Sequence, residues 1–306
     1  MKKGISILLL LLLNLSIIVK SQQGGGTAGF SSNTCKQLPE FARKLGFNVS
    51  LAAFSTTEKK TKGIVFMEYT NSPNRRVYQH PTWKLVGTLG PIVTTEEGVV
   101  FTAPLPSVNI LENLPMKQNI IYRINPNTGE MGSFLDLPKA KNPGPTNSFG
   151  ILGMDYSCDK KVMYVSSVSG SDLKTEYGRI FAISLNQGKP EVINQLNNID
   201  GFAVCYGTLN SEKRLFFGRA RTSDVYSIAV DEKGKFIGKP RFELTLVQLG
   251  PRGDDRARKI RFVNGDLVIS GVEFFFNLIA PSEKQETQYT FRYSEYYNQW
   301  QLVGLK

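Results

Sequence analysis

Four oxygen-bearing side chains stand where the chain passes from a turn into a short apolar run. Asn147 opens "NSFGI", Asp200 opens "DGFAV", and Asp254 and Asp255 precede "RARKIRF". A carboxylate is a hard oxygen donor, so Asp200 could serve as a metal ligand or as a general acid or base. A cation held there can polarise a carbonyl and acidify a bound water. The same residue types also have an architectural use, because Asp and Asn accept backbone hydrogen bonds at turns. For Asp254 and Asp255 both uses stay open. Adjacent acids can share a cation or raise one another's pKa, and the nearby Arg252, Arg256 and Arg258 offer ion pairs instead. The tripeptide "RGD" (252–254) is too short to carry an argument.

Other chemistries are excluded more firmly. His80 is the only histidine, which removes mechanisms that need two. Its setting in "VYQHPTW" places it on an outer strand or turn, so Ser-His-Asp and Cys-His schemes lack a base near a central site. Cys205 sits inside an apolar run with no base partner and reads as a small buried side chain. With Cys35 and Cys158 it allows at most one disulfide. Spacing does not say which two pair, and a structural free thiol is equally open. Asn48 in "NVS" is the one N-glycosylation sequon beyond the leader. No phosphate loop, zinc spacing or dinucleotide fingerprint occurs, and nothing suggests a redox cofactor.

The elements that position these residues can be read along the chain. "MKKGISILLLLLLNLSIIVKSQQ" joins two lysines to an apolar run over 5–19 and then to small and polar residues, the pattern of a signal peptide spanning 1–21. The run is shorter than the roughly 20 residues of a bilayer span, so the mature chain is expected to be secreted or periplasmic with no membrane span. Residues 22–48 read as a flexible arm, "QQGGGTAGFSSNT" followed by a short helix in "KQLPEFARKLGF". From 49 onward helical periodicity gives way to short β-branched and aromatic runs separated by turn residues.

Those runs repeat. A strand, a polar turn and a second strand recur over 49–69, 90–104, 150–167, 201–220 and 257–271. A second hairpin follows each time, over 75–89, 119–137, 178–196, 224–246 and 288–306. Turns such as "NPNTGE", "NQGK" and "DEKGK" carry the Asn, Asp and Gly that positive φ angles favour. A four-stranded sheet cannot bury both faces alone, and units of this period pack radially around a channel with the first strand innermost. The expectation is an all-β fold over 49–306, a β-propeller of four-stranded blades, with five blades counted and six allowed. The aromatics of "EFFFNLIA" and "YTFRYSEYYNQW" are expected to fill spaces between blades, with the "SEYYNQW" tip also placed to touch a ligand.

The formal net charge is +11, and losing Lys2, Lys3 and Lys20 with the leader reduces it to +8. The basic residues are scattered among acids, which fits a solvated surface better than a nucleic-acid track.

"NSFGILGMDYSCDKKVMYV...GRIFAISL" and "DGFAVCYG...EKRLFFGRARTSDVYSIAVD" resemble the blade patterns of the senescence-marker-protein/gluconolactonase family. They also resemble the NHL-repeat, strictosidine-synthase-like and yellow/royal-jelly propellers. In the lactonase branch a Glu, an Asn and an Asp at inner-strand starts hold one divalent cation, calcium or similar. The resemblance implies that Asp200 takes the Asp position and Asn147, more loosely, the Asn position. Leu89 stands in "TLGPIVTTEEG" where that family has its Glu, so a third ligand would have to come from elsewhere on the rim, Asp254 or Asp255 first. Two functions follow as expectations: binding of a small molecule, glycan or protein partner at the channel rim, or a divalent-metal-dependent lactonase or related hydrolase.

Overall fold

The structure, a computed structural model, describes Cys35 and residues 37–56, 62–70, 75–105, 114–142, 146–186, 189–276 and 285–306. The expected signal peptide and the Gly- and Ser-rich stretch 22–34 lie outside the described residues. No helix among the described residues is long and apolar enough to cross a membrane.

The described strands form five antiparallel sheets arranged as the blades of a propeller. Blade I holds β1 (Ala52–Ser55), β2 (Val65–Glu68) and β3 (Val77–Tyr78). Blade II holds β4 (Leu89–Thr94), β5 (Val100–Pro104), β6 (Ile120–Ile124) and β7 (Met131–Asp136). Blade III runs through β8 (Ile151–Ser157), β9 (Val162–Ser167), β10 (Arg179–Ser184) and β11 (Glu191–Asn197). Blade IV runs through β12 (Gly201–Leu209), β13 (Glu212–Arg219), β14 (Asp224–Val230) and β15 (Phe236–Thr245). Blade V closes the series with β16 (Arg256–Val263), β17 (Asp266–Val272), β18 (Thr287–Ser294) and β19 (Gln299–Leu305). Within each sheet the strands pair in chain order, and the first strands β4, β8, β12 and β16 pack side by side as the inner wall.

The blades form because their apolar alternation presents two faces that only neighbouring sheets can cover. Phe101, Met163 and Phe181 fill the space between blades II and III. Tyr164, Ile180, Tyr206 and Phe217 fill that between III and IV. Phe216, Leu267, Tyr289 and Trp300 fill that between IV and V. Hairpin chemistry fixes the registers: Asn264 and Gly265, both at positive φ (51° and 87°), join β16 to β17 in the twist-compatible two-residue turn.

The first blade departs from the four-stranded expectation. Its described strands number three, and Pro81–Lys84 makes a 3₁₀ turn where a fourth was expected. Pro81 removes a ladder donor and fixes φ. The His80 ring accepts from the Thr82 N–H, and the Trp83 indole, fully buried, donates to the Gly129 carbonyl at 2.6 Å. Trp83 therefore packs inward instead of extending an edge strand. The short helix α1 (Glu40–Lys44) buries Phe41 and Ala42, and Phe41 contacts the rings of Phe54, Phe66 and Trp83. A disulfide joins Cys35 to Cys158, just after β8, which selects one of the pairings the sequence leaves open. It links the segment before α1 to blade III. Cys205 is buried in β12.

Candidate functional site

Each inner strand from β4 to β16 breaks register near its start: between Leu89 and Ile92, Ile151 and Gly153, Gly201 and Val204, and Ala257 and Lys259. Bulges bend a strand and re-aim a side chain. Here they sit at matching places around the ring and surround a central cavity of about 370 Å³. Its walls are residues 89–92, 152–154, 202–204 and 258–261, with Thr56 beyond β1. At the strand-entrance end Phe274 lies 4.6 Å from Phe202 and 5.3 Å from Phe149, ring centre to ring centre. The "EFFFN" aromatics thus pack at the channel end and not only between blades. The tip residues Tyr296 and Tyr297 are exposed, at 87% and 60%.

Asp200 lies immediately before β12 and is wholly buried. One carboxylate oxygen accepts the Ser171 hydroxyl at 2.5 Å and the Gly178 N–H at 2.9 Å, and the other accepts Arg221 Nε at 2.5 Å. Gly178 approaches so closely that a β-carbon on it would meet the carboxylate at 2.3 Å. Arg221 also donates to the carbonyls of Asp172 and Thr175. Burial raises the Asp200 pKa, the Ser171 and Arg221 contacts oppose it, and nearby Glu176 adds to the rise. Glu176 in turn accepts the Asp200 N–H and both bonds from Arg219. The network ties the 169–178 connection of blade III to the entrance of blade IV.

Asn147 is buried beside it. Its amide nitrogen donates to the carbonyls of Val168 and Ser171, and its oxygen accepts the Phe149 N–H at 2.8 Å. Ser171 therefore links Asn147 to Asp200, which brings these two predicted residues into one network. Asp255 is held separately, before β16. Arg252 grips it with Nε at 2.5 Å and Nη2 at 2.8 Å, and the Tyr289 hydroxyl donates at 2.8 Å. Asp254 is exposed, and its carbonyl accepts from Arg256. Asn48 is exposed, its side-chain oxygen accepting the Ser50 N–H.

This donor set does not fit a divalent cation. The oxygens of Asn147, Asp200 and Asp255 face N–H and O–H donors, and a guanidinium lies against each of the two buried carboxylates. The one group of three His, Cys, Asp or Glu side chains at ligating separation among the described residues is Cys35, Glu96 and Cys158, two of which form the disulfide. What the sequence did not reveal is a third buried acid, this one within an inner strand: Asp155 in β8 accepts the Tyr206 N–H at 2.7 Å and ties blade III to blade IV. Its place in "GMDYS" gives no signal, because an acid in an all-buried strand is recognisable only once its partner is known.

A second cavity, about 450 Å³, opens between blades II and III near the inner-strand exits, where Thr95, Phe101, Arg123, Phe134, Tyr156 and Lys161 line it. Only two blades build it. The channel is where all five converge.

The comparisons with known proteins bear on the fold. No protein-family model matches the chain, and no curated protein matches it. A solved protein of Lactobacillus plantarum, determined by a structural genomics consortium, superposes with a TM-score of 0.54 at 11% identity over 85% of this chain and 69% of that one. The chain is a β-propeller. At that identity the likeness shows architecture and no family, so activity must be argued from the channel itself.

Proposed function

We propose that the protein is an exported binding propeller whose ligand, a small molecule or glycan, enters the central channel at the inner-strand entrances. The observation that carries this is the engagement of Asn147, Asp200 and Asp255 by protein donors, beside a cavity of about 370 Å³. Groups already held in this way act as struts, and the neighbouring channel cavity has the size of a small-ligand site. Export is supported by the leader pattern and by the disulfide, which suits an oxidising compartment.

The rival, a metal-dependent lactonase, gains no support from the donor geometry. Two measurements decide between them. A small-molecule and glycan panel is titrated against the protein and against Thr56→Trp, which places bulk in the channel wall; binding that the substitution abolishes is the expected result. A lactone panel is assayed with calcium, magnesium, manganese and zinc, beside Asp200→Asn. Metal-requiring turnover that disappears in Asp200→Asn would overturn the binding function.

A further inference from the structure

The channel wall is electrostatically one-sided. Among the residues that line it, Arg258, Lys259 and Arg261 carry charge and no Asp or Glu does. All three come from β16, and Arg258 is the extra residue of that strand's bulge. The acid that answers them is Glu286, just before β18, whose carboxylate pairs with Arg258 and, at 3.2 Å, with Lys259. Among the described residues no acid pairs with Arg261, which is exposed. Three cations and one carboxylate leave an excess of two positive charges on one side of a small cavity. The Arg258 side chain is only 14% exposed. Burial lowers its pKa and Glu286 opposes that. Glu286 is pushed up by burial but drawn below the usual carboxylate range by Arg258 and Lys259.

Resting on the channel-binding function above, we infer that the channel takes a small ligand bearing an oxyanion, a carboxylate, phosphate or sulfate, which Arg258 and Arg261 hold in place. The guanidinium fork matches such a group with two parallel hydrogen bonds. Glu286 is the built-in surrogate, occupying Arg258 until a ligand anion displaces it or shares the guanidinium. The bulges of β8 and β12 supply other parts of the wall with Leu152, Phe202 and Ala203, apolar surface suited to the body of an organic acid. The volume, at the lower end of small-molecule sites, fits a ligand the size of a monosaccharide.

Calorimetric titration of the full mature chain with D-glucuronate, inorganic phosphate, sulfate and neutral glucose tests this, and the tightest oxyanion identifies which group the site is built for. Arg261→Gln, on an exposed side chain, is expected to weaken that anion about tenfold or more, as loss of a charged hydrogen bond does. Glu286→Gln is expected to tighten it by removing the internal competitor, and Arg258→Gln to weaken it. Should Arg258→Gln fail to fold, the other two variants still decide. Oxyanions that bind no better than glucose, or whose affinity ignores both Arg261→Gln and Glu286→Gln, would overturn the inference. Glucose binding that Thr56→Trp abolishes, with no oxyanion bound, would overturn it while leaving the binding function standing. Oxyanion binding that survives Thr56→Trp would locate the site elsewhere and overturn both.

Discussion

Replacing Asp200 with alanine separates a strut from a metal ligand by stability alone. The substitution strips the Gly178 N–H and the Ser171 hydroxyl of their acceptor and leaves Arg221 without its carboxylate. Removing one partner of a buried ion pair costs about 3–5 kcal/mol. Arg221 is 20% exposed at the side chain and keeps the backbone carbonyls of Asp172, Leu173 and Thr175 as acceptors, which lessens its share. The orphaned amide adds about 1–3 kcal/mol. A net loss of about 3–4 kcal/mol is expected, and for a domain of this size each kcal/mol lowers Tm by about 2–4 °C. Urea unfolding of wild type, Asp200→Ala, Arg221→Ala and the double variant measures it. In the double variant the two losses should fall short of additivity by roughly 1–3 kcal/mol. Losses that simply add, or a chelator that destabilises the wild type as much as the substitution does, would refute the strut and restore a cation to the site.

Two further outcomes are expected. Acid titration of stability has opposed contributions: Glu286, with its folded-state pKa lowered, contributes stability above its ordinary value of 4.5 that is lost as pH falls through the lower folded value. Asp200, with its pKa raised, works the other way, so stability recovers somewhat as pH falls through its raised value. Urea midpoints measured from neutral to acid pH should therefore show a shallower acid loss in Glu286→Gln, and a profile identical to wild type would contradict the pairing with Arg258. Reducing the Cys35–Cys158 disulfide frees a separation of 123 residues, and loss of a native bridge costs about 2–5 kcal/mol. Dithiothreitol should lower the urea midpoint of the wild type and leave that of Cys158→Ser unchanged; an equal shift in both would place the effect elsewhere.

The repeat of strand pairs, the turn residues between them and the helix-forming "EFARK" were legible because each depends on neighbours within a few positions: apolar alternation, positive-φ turns and a local amphipathic face. The five-sheet count, and strand positions within a few residues, follow from those alone. That "HPTWK" forms a 3₁₀ turn and not a strand was not legible, because it has strand-forming residues whose fate is decided by Trp83 finding Phe41 and Gly129, distant in sequence. The disulfide pairing was open for the same reason. Sequence placed Asn147 and Asp200 at inner-strand entrances, and Asp255 among arginines. It could not say that Arg221, 21 residues on, returns to neutralise Asp200, or that Ser171 joins Asp200 to Asn147. Nor could it show that Arg258, Lys259 and Arg261 share a channel wall, since the bulge that turns β16 exists only against β17. Local propensity determines which segments become strands. Which charged group meets which, and so whether an acid is a ligand or a strut, is set by long-range packing in a low-dielectric interior, where each buried charge must find its partner.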